Sequence, residues 1–220
     1  MKVTFEQIKN NEDIKTYIKK ADESLIALGY TEHSFAHVGT VSQRAAYILE
    51  TLGYPERTVE LARIAGYLHD IGNLVNRVDH SQSGAVMAFR LLDKLGMDAE
   101  EIATVVTAIG NHDEGTGVPV NPVAAALIIA DKCDVRRTRV RNSDTSAFDI
   151  HDRVNYSVEK SSVKISDDKS MIVLELTVDT SISAVIDYFS IFTGRMQMSS
   201  RAASSIGLKF SLVINGQTLL

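Results

Sequence analysis

The segment AGYLHDIGNLVNRVDHSQSGA, residues 65–85, sets the strongest limit on how this chain can fold. Its small, apolar start predicts the end of a buried helix, and that helix runs directly into His69 and Asp70. Histidine and aspartate side chains are costly inside a core unless other groups pair with them. The fold must therefore supply partners at this point, through either a core hydrogen-bond network or a metal ion.

The spacing of apolar residues predicts helices over the first two-thirds of the chain. These predicted helices cover approximately residues 5–20, 34–52, 55–71, 80–95, 99–111 and 121–131. Gly53 and Gly96 mark two helix ends, because glycine readily adopts the conformation that closes a helix. Asn121 followed by Pro122 predicts a capped helix start. We therefore expect residues 1–150 to form one mainly helical domain.

The pattern changes near Asp152. Two segments with β-branched residues in partial alternation, VNYSVEKSSVKIS and SMIVLELTVD, predict a β-hairpin. A helical stripe follows from Ser181 to Gly207, and LKFSLVI predicts a last strand. We expect residues 151–220 to form a small α+β (β-β-α-β) subdomain that packs on the helical part. Its exposed strands allow a homodimer in which a sheet extends across two chains.

Composition limits the compartment and the partners. The chain has one cysteine, Cys133, so an intrachain disulfide is excluded and a reducing compartment is favoured. A net charge of −5 argues against binding to nucleic acid or to anionic membranes. The N-terminus lacks the apolar core of a signal peptide, and no stretch approaches 18 uninterrupted apolar residues. We expect a cytoplasmic protein without nucleic-acid or membrane partners.

Several histidines and aspartates lie on predicted buried helix faces. Asp131 shares a face with Leu127, and His37 shares a face with Val41. Divalent transition metals prefer imidazole nitrogen combined with carboxylate oxygen. The candidate metal ligands are His37, His69, Asp70, His80, His112 and Asp131. Each alone is more often a hydrogen-bonded core residue, but the set together favours a metal site.

This set is larger than one four-coordinate ion requires. A two-metal site with Asp70 as the bridging carboxylate would use all of its members. The first ligand has an alternative, because His33 lies one helical turn before His37 and both could face inward. Cys133 has no partner that would make it a nucleophile and is expected to be a small buried residue.

The pattern of His37, then His69 with Asp70, then Asp131 resembles the HD-domain superfamily of metal-dependent phosphohydrolases. The segment YLHDIGN is similar to its adjacent His-Asp motif, and IIADKCD is similar to its closing Asp motif. The segments HSQSGA and AIGNHDEGTG, which contain His80 and His112, resemble the two-metal subset. That subset includes bacterial diadenosine-tetraphosphate hydrolases and HD-GYP cyclic-dinucleotide phosphodiesterases. The resemblance covers residues 34–141.

The resemblance implies an HD-type helical bundle with a metal-dependent phosphohydrolase activity. The substrate would be a phosphate ester or anhydride, of a nucleotide or a dinucleotide, and a metal-activated hydroxide would attack it. Asp70, His80 and His112 are the implied catalytic residues. The cofactor would be one or two divalent ions of Fe, Mn, Zn or Ni, with Mg also possible. The alternative is an HD-type nucleotide-sensing or regulatory module that binds metal and ligand without turnover.

A cluster of basic residues follows Asp131 in the segment DKCDVRRTRVRN. Guanidinium groups bind phosphate oxygens in pairs, and a lysine contributes a point charge. We expect Lys132, Arg136 and Arg137 to bind the phosphate of a small substrate, with a solvated basic turn as the alternative. The segment GNHDEGTGVPVNP, rich in glycine and proline, is expected to be a rim loop of the site or a helix connector.

Overall fold

A helical part is followed by a small sheet, as the change in sequence pattern predicts. The computed structural model describes residues 2–220, so Met1, the first residue of the expected helical domain, lies outside the described residues. The described helices are α1 (Phe5–Lys9), α2 (Glu12–Ala27), α3 (Phe35–Leu52), α4 (Glu56–Leu68), α5 (His80–Lys94), α6 (Ala99–Gly110), α7 (Pro122–Lys132), α8 (Ile150–Ser157) and α9 (Val185–Ser205). The strands are β1 (Val158–Ile165), β2 (Met171–Val178), β3 (Lys209–Ile214) and β4 (Gln217–Thr218). Within residues 2–220, no helix is both long and apolar enough to cross a membrane.

The first predicted helix, residues 5–20, is in fact two helices. Asn10 ends α1 and Asn11 begins α2, where the Asn11 side chain accepts a hydrogen bond from the Ile14 amide at 3.1 Å. Asparagine favours helix ends because its side chain competes for backbone hydrogen bonds. The polar residues 10–12 interrupt the apolar pattern at this point, and the structure shows that they divide one predicted helix into two.

The expectation of a strand from Val154 is wrong over its first residues. Residues 150–157 form α8, and β1 begins only at Val158. The Asp149 side chain accepts a hydrogen bond from the Asp152 amide at 2.8 Å and so caps α8. Such a cap stabilises a helix start by about 1 kcal/mol. The cap and the packing of α8 against α9 outweigh the local β-strand pattern.

Helix α7 lies at the centre of the helical part. Its residues 123–130 are all buried, and it packs against α3, α4, α6 and α9. A helix that is apolar on every side belongs inside a protein. Its start follows the prediction, because the Asn121 side chain accepts a hydrogen bond from the Ala124 amide and Pro122 occupies the first turn. Asp131 comes in the last turn of this buried helix.

The four strands form one mixed sheet in the order β1-β2-β3-β4. The β1–β2 and β3–β4 pairs are antiparallel, and β2 and β3 are parallel because α9 forms the crossover between them. Helix α9 packs on both β3 and α7, and apolar side chains from the sheet and the helices form one continuous core. The fold class is confirmed as mainly α with a small C-terminal β-β-α-β part, to which β4 adds a short strand that was not predicted.

The cysteine is a buried residue, as predicted. Burial raises the pKa of the Cys133 thiol to about 12, although the nearby Arg44 guanidinium partly opposes this. A thiol that stays protonated is a poor nucleophile. Cys133 therefore has a packing role.

Candidate metal centre

The six candidate ligands from the sequence lie together, each near the start or end of a helix. They come from α3 (His37), the end of α4 (His69 and Asp70), the start of α5 (His80), the end of α6 (His112) and the last turn of α7 (Asp131). Their ligand atoms form three groups, each with all atoms within 4.8 Å of one another: His37, His69 and Asp70; His69, His112 and Asp131; and Asp70, His80 and His112. We call these six residues the ligand cluster.

Each of the four imidazoles in the ligand cluster uses its Nδ1 atom for a hydrogen bond. Three of them lie beside the carbonyl oxygen three residues earlier: His69 at 2.9 Å, His80 at 3.1 Å and His112 at 2.6 Å. A carbonyl only accepts, so these Nδ1 atoms donate and each Nε2 of a neutral ring carries a lone pair. Metal-binding histidines in proteins are oriented in this way.

The fourth imidazole, His37, is oriented by a carboxylate that the sequence analysis missed. Its Nδ1 donates to Asp134 Oδ2 at 2.8 Å, and Asp134 is fully buried. Burial favours the neutral acid, but the His37 hydrogen bond and the nearby arginines outweigh burial and hold the pKa of Asp134 below its usual value. The second aspartate of IIADKCD, three residues after Asp131, was the signal for this role.

Asp70 lies between two sets of imidazoles. Its Oδ2 is 3.4 Å from His37 Nε2 and 3.3 Å from His69 Nε2, whereas its Oδ1 is 3.5 Å from His80 Nε2. Asp131 Oδ1 lies on the first side, 3.3 Å from His37 Nε2 and 3.7 Å from His69 Nε2. One carboxylate therefore faces both sets, which is the arrangement that a bridging ligand needs.

Several of these buried atoms lack partners. Among residues 2–220, His37 Nε2, His69 Nε2 and Asp70 Oδ2 form no hydrogen bond that satisfies normal geometry. His80 Nε2 and His112 Nε2 face each other at 3.2 Å, and neither carries a proton when both rings are neutral. Buried polar atoms without partners are rare in folded proteins. A divalent cation would satisfy these atoms, so the residues fit a metal ion.

Electrostatics support the same conclusion. Burial disfavours a charged His69 ring, but the Asp70 and Asp131 carboxylates outweigh burial and raise the pKa of His69 to about 10. Burial lowers the pKa of His80, and it lowers the pKa of His112 well below its usual value. The cluster is therefore strongly attractive to a cation on the side of the carboxylates and rich in neutral nitrogen donors on the other.

Two glycines allow the helix ends to meet. A Cβ on Gly66 would lie 2.7 Å from the Cα of Ser42, so α4 can approach α3 this closely only with glycine here. A Cβ on Gly72 would lie 2.0 Å from the His80 carbonyl oxygen. Close backbone approach of this kind is a usual reason for glycine. Gly66 therefore brings His69 towards α3, and Gly72 brings Asp70 towards the start of α5.

A cavity of about 380 Å³ opens beside the ligand cluster. Asp70, His80, Asp131 and Lys132 line it on the side of the cluster. Glu114, from the segment that was expected to be a rim loop, also lines it, so this part of the segment does lie at the site. Two larger grooves, of about 660 and 610 Å³, lie elsewhere and contain no member of the ligand cluster.

The structure brings only one of the three expected phosphate-binding residues to this cavity. Lys132 lines it, with Nζ 2.8 Å from Asp131 Oδ2. Arg136 does not line it and instead binds the carboxylates of Glu32, at 3.1 Å, and Asp134, at 3.0 Å. Its guanidinium is therefore committed to contacts within the fold.

Arg137 is also absent from the lining of this cavity. Its Nε donates to the Tyr156 carbonyl at 2.6 Å, and its guanidinium lies over the Tyr156 ring. These contacts fasten the turn after α7 to α8. We therefore assign Arg136 and Arg137 no contact with a ligand in this cavity.

The structure also shows where His33, the alternative first ligand, lies. His33 lines the cavity, but its Nδ1 lies 2.7 Å from the Thr31 carbonyl, and His33 belongs to none of the three ligand groups. His37 occupies the position beside Asp70 and Asp131. The structure therefore brings His37 into the cluster and leaves His33 on the cavity wall.

Further residues on the cavity wall were not predicted as site residues. They include Arg77, Glu114, Asp149, His151, Asp152, Asn155 and Arg195. Arg77 is near the ligand cluster in sequence, but most of the others follow it by many residues. A polar or charged residue on a helix surface gives no sequence signal that distinguishes a cavity wall from ordinary solvent exposure.

One family model matches the part of the chain that carries the ligand cluster. Residues 34–136 match the model of the family described as the HD domain, and this segment contains all six members of the ligand cluster. An uncharacterized protein of Methanocaldococcus jannaschii is 26% identical over 192 residues, which covers 76% of this chain and 73% of that protein. The chain is also similar to the crystal structure of a predicted HD superfamily hydrolase from an uncultured Thermotogales bacterium. That structure is 27% identical with a TM-score of 0.46, and the match covers 60% of this chain and 72% of that one.

Proposed function

We propose that this chain, whose residues 34–136 match the HD domain, belongs to that family and is a metal-dependent phosphohydrolase. The strongest support is that four imidazoles and two carboxylates meet in the ligand cluster. Several of their own buried atoms have no hydrogen-bond partner. A chain that needed these residues only for packing would pair them with one another. The size of the cavity favours a substrate no larger than a mononucleotide, because about 380 Å³ is near the lower end for small-molecule sites.

We further propose two divalent ions that share Asp70. His37, His69, Asp70 and Asp131 would hold one ion, and Asp70, His80 and His112 would hold the other. Asp70, His80 and His112 are catalytic in the sense that they hold the ion pair beside the cavity. A set so rich in imidazole favours Fe, Mn, Zn or Ni over Mg.

The bound ions would supply Lewis-acid chemistry, lowering the pKa of water and offsetting charge on a phosphoryl oxygen. The chain's own residues attract the phosphate and orient the metal ligands. Lys132, buried with its Nζ beside Asp131, carries a fixed positive charge on the cavity wall where a phosphate oxygen can approach. Asp134 holds the His37 ring in one orientation, and the burial of the cluster keeps bulk water away from it.

The test is removal and return of metal. We expect protein treated with a chelator to lose hydrolysis of phosphomonoesters and nucleotides, and to regain it with Mn, Fe, Zn or Ni ions but only weakly with Mg. Product release should be followed as inorganic phosphate and as the freed alcohol. Metal-loaded protein that hydrolyses no member of a broad panel would overturn the proposal. Tight nucleotide binding without product would favour the sensing module instead.

A further inference from the structure

The two sides of the cavity come from different parts of the chain. The ligand cluster lies entirely within residues 34–136, the segment that matches the HD domain. Another part of the wall is formed by Asp149, which caps α8, and by residues from α8 and α9, all of which lie outside that segment. We call this side the outer wall; it consists of Asp149, His151, Asp152, Asn155 and Arg195. The part of the chain after the HD domain therefore helps to determine which substrate fits.

Arg195 on α9 has the geometry of a phosphate-binding residue. Its Nε donates to Glu114 Oε1 at 2.7 Å, and its guanidinium carbon lies 4.4 Å from the centre of the Phe192 ring. Among residues 2–220, its two terminal nitrogens make no hydrogen bond or ion pair, and its side chain is 25% exposed. A guanidinium held on one edge, with its other donors free, can bind two phosphate oxygens.

After residue 136, the other arginine that lines the cavity, Arg139, is not available in the same way. Arg139 is buried, and its guanidinium donates to the carbonyl oxygens of Glu32, at 3.0 Å, and Asp134, at 2.9 Å. Its Nε and Nη1 donors therefore hold the backbone. Among the described residues after 136, Arg195 is therefore the cavity-lining arginine with both terminal nitrogens free of protein partners.

The α8 side of the outer wall accepts hydrogen bonds. Asp149 and Asp152 form no salt bridge among residues 2–220, and both line the cavity. The Asn155 side chain donates to the His151 carbonyl, which leaves its amide oxygen as an acceptor. Carboxylates repel a phosphate but bind hydroxyl groups well. The part of the substrate that lies here should therefore carry hydroxyl groups.

The outer wall is poorly suited to a nucleobase, because its one ring is the imidazole of His151. Among the described residues that line the cavity, Tyr30 has the one ring that is not an imidazole, and the Arg77 guanidinium lies 5.6 Å from its centre. Sites that recognise bases usually offer a free aromatic face for stacking. An amide and an imidazole beside the carboxylates also favour hydroxyls, which both donate and accept, over an ammonium, which only donates.

We infer that the substrate is a small phosphomonoester of a polyhydroxy alcohol, with its phosphate bound by Arg195 and its hydroxyls bound by Asp152 and Asn155. This inference rests on the proposed function. In the reaction, the oxygen of water bonds to phosphorus as the bond between phosphorus and the alcohol oxygen breaks. One proton of the water passes to the leaving alkoxide, so the products are the free alcohol and inorganic phosphate.

The experiment compares kcat/KM of the metal-loaded full chain on five probes. These are ribose 5-phosphate, glycerol 3-phosphate, AMP, diadenosine tetraphosphate and p-nitrophenyl phosphate. We expect the two polyol phosphates to be preferred over the two nucleotides by about tenfold or more, because the outer wall accepts hydroxyl groups but offers a base little surface for stacking. Preference for either nucleotide would overturn this inference alone. Failure to hydrolyse any probe would overturn the proposed function and the inference with it.

Variants separate the two ends of the substrate. Arg195→Gln should raise KM about tenfold for every phosphomonoester and leave metal content unchanged, and Arg195→Lys should recover part of the loss. Arg201→Gln, an exposed arginine on the same helix, should change nothing. Asp152→Asn should lower kcat/KM for the polyol phosphates and spare p-nitrophenyl phosphate, which has no hydroxyl groups. Unchanged KM in Arg195→Gln, or equal effects of Asp152→Asn on all probes, would contradict the assignment.

Discussion

The ligand cluster and the outer wall face the same cavity but are built in opposite ways. In the ligand cluster, the rings of His37 and His69 are completely buried, and each imidazole is fixed through Nδ1. On the outer wall, Arg195 is 25% exposed and is fixed at one edge by a single ion pair. The first set is suited to holding an ion in one geometry, and the second is suited to contacting a molecule that enters and leaves.

This difference determines what mutations should do. A change in the ligand cluster leaves buried charges or lone pairs without partners, so its effects should be large and should alter metal content. A change in the outer wall removes one exposed contact, so its effects should be small and confined to substrate binding. The four predictions that follow test this contrast in order of decreasing effect.

The largest effect is expected for Asp70→Ala. Both sets of imidazoles lose the carboxylate that faces them, so the variant should lose most of its metal and its activity should fall to background. Elemental analysis and a phosphate-release assay measure the two quantities. Asp93→Ala, an exposed aspartate on α5, is the control and should match the wild type. An Asp70→Ala protein that remains active and metal-loaded would contradict the expected role of the ligand cluster in holding metal.

Next in size is Gly72→Ala, which alters backbone spacing without removing a ligand. The added Cβ would overlap the His80 carbonyl, so α5 must shift away from Asp70. We expect the free energy of unfolding to fall by about 1–3 kcal/mol and the metal to bind more weakly.

The matched control is Gly39→Ala in α3, where a Cβ meets no atom within 4 Å. This change should stabilise the protein by about 0.5–1 kcal/mol, because alanine favours a helix over glycine. Chemical denaturation of the metal-free proteins measures both values. Equal stability of the two variants would show that the close approach at Gly72 does not matter.

A smaller effect is expected for Asp134→Asn, which keeps the shape of the side chain and removes its charge. The His37 ring would lose the anionic acceptor of its Nδ1 proton, so metal affinity should fall about 10- to 100-fold. Metal titration with a competing chelator measures this affinity, and Asp167→Asn on an exposed turn is the control. An unchanged metal affinity would mean that Asp134 pairs with the arginines around it and does not support the metal centre.

The smallest effect is expected for Glu114→Gln, which removes the charged partner of Arg195 on the outer wall. Arg195 would lose its charged partner but keep its place over the Phe192 ring, so KM should rise about two- to fivefold. Metal content and kcat should stay near wild type, and Glu50→Gln on the exposed side of α3 should have no effect. A loss of metal in Glu114→Gln would show that the two sides of the cavity are not independent.

The sequence predicts the ligand cluster well because its residues are unusual where they occur. Asp131 follows a run of apolar residues on α7, and His69 and Asp70 end the apolar helix α4. Groups that are costly to bury stand out against such a background. The helices that carry them were predicted for the same reason, since their apolar spacing is regular.

The outer wall could not be predicted, because its residues are of types that are common on any surface. Arg195 and Asp152 face the cavity only because α9 and α8 pack where they do, and that packing is tertiary. For Arg136 and Arg137 the sequence suggested a place at the cavity, and neither residue lines it. Their closeness in sequence to Asp131 suggested a phosphate site, but the chain turns after α7 and directs them to Glu32 and Tyr156.

The most direct test of the central claim is the metal content of His37→Ala and His80→Ala measured beside the wild type. Asp70 faces these two histidines with different oxygens, so each variant should lose one ion only. We expect about two ions per chain in the wild type and about one in each variant, as a two-metal site requires. Full metal content and activity in His80→Ala would make His80 a structural histidine, and a single ion in the wild type would contradict the shared role of Asp70.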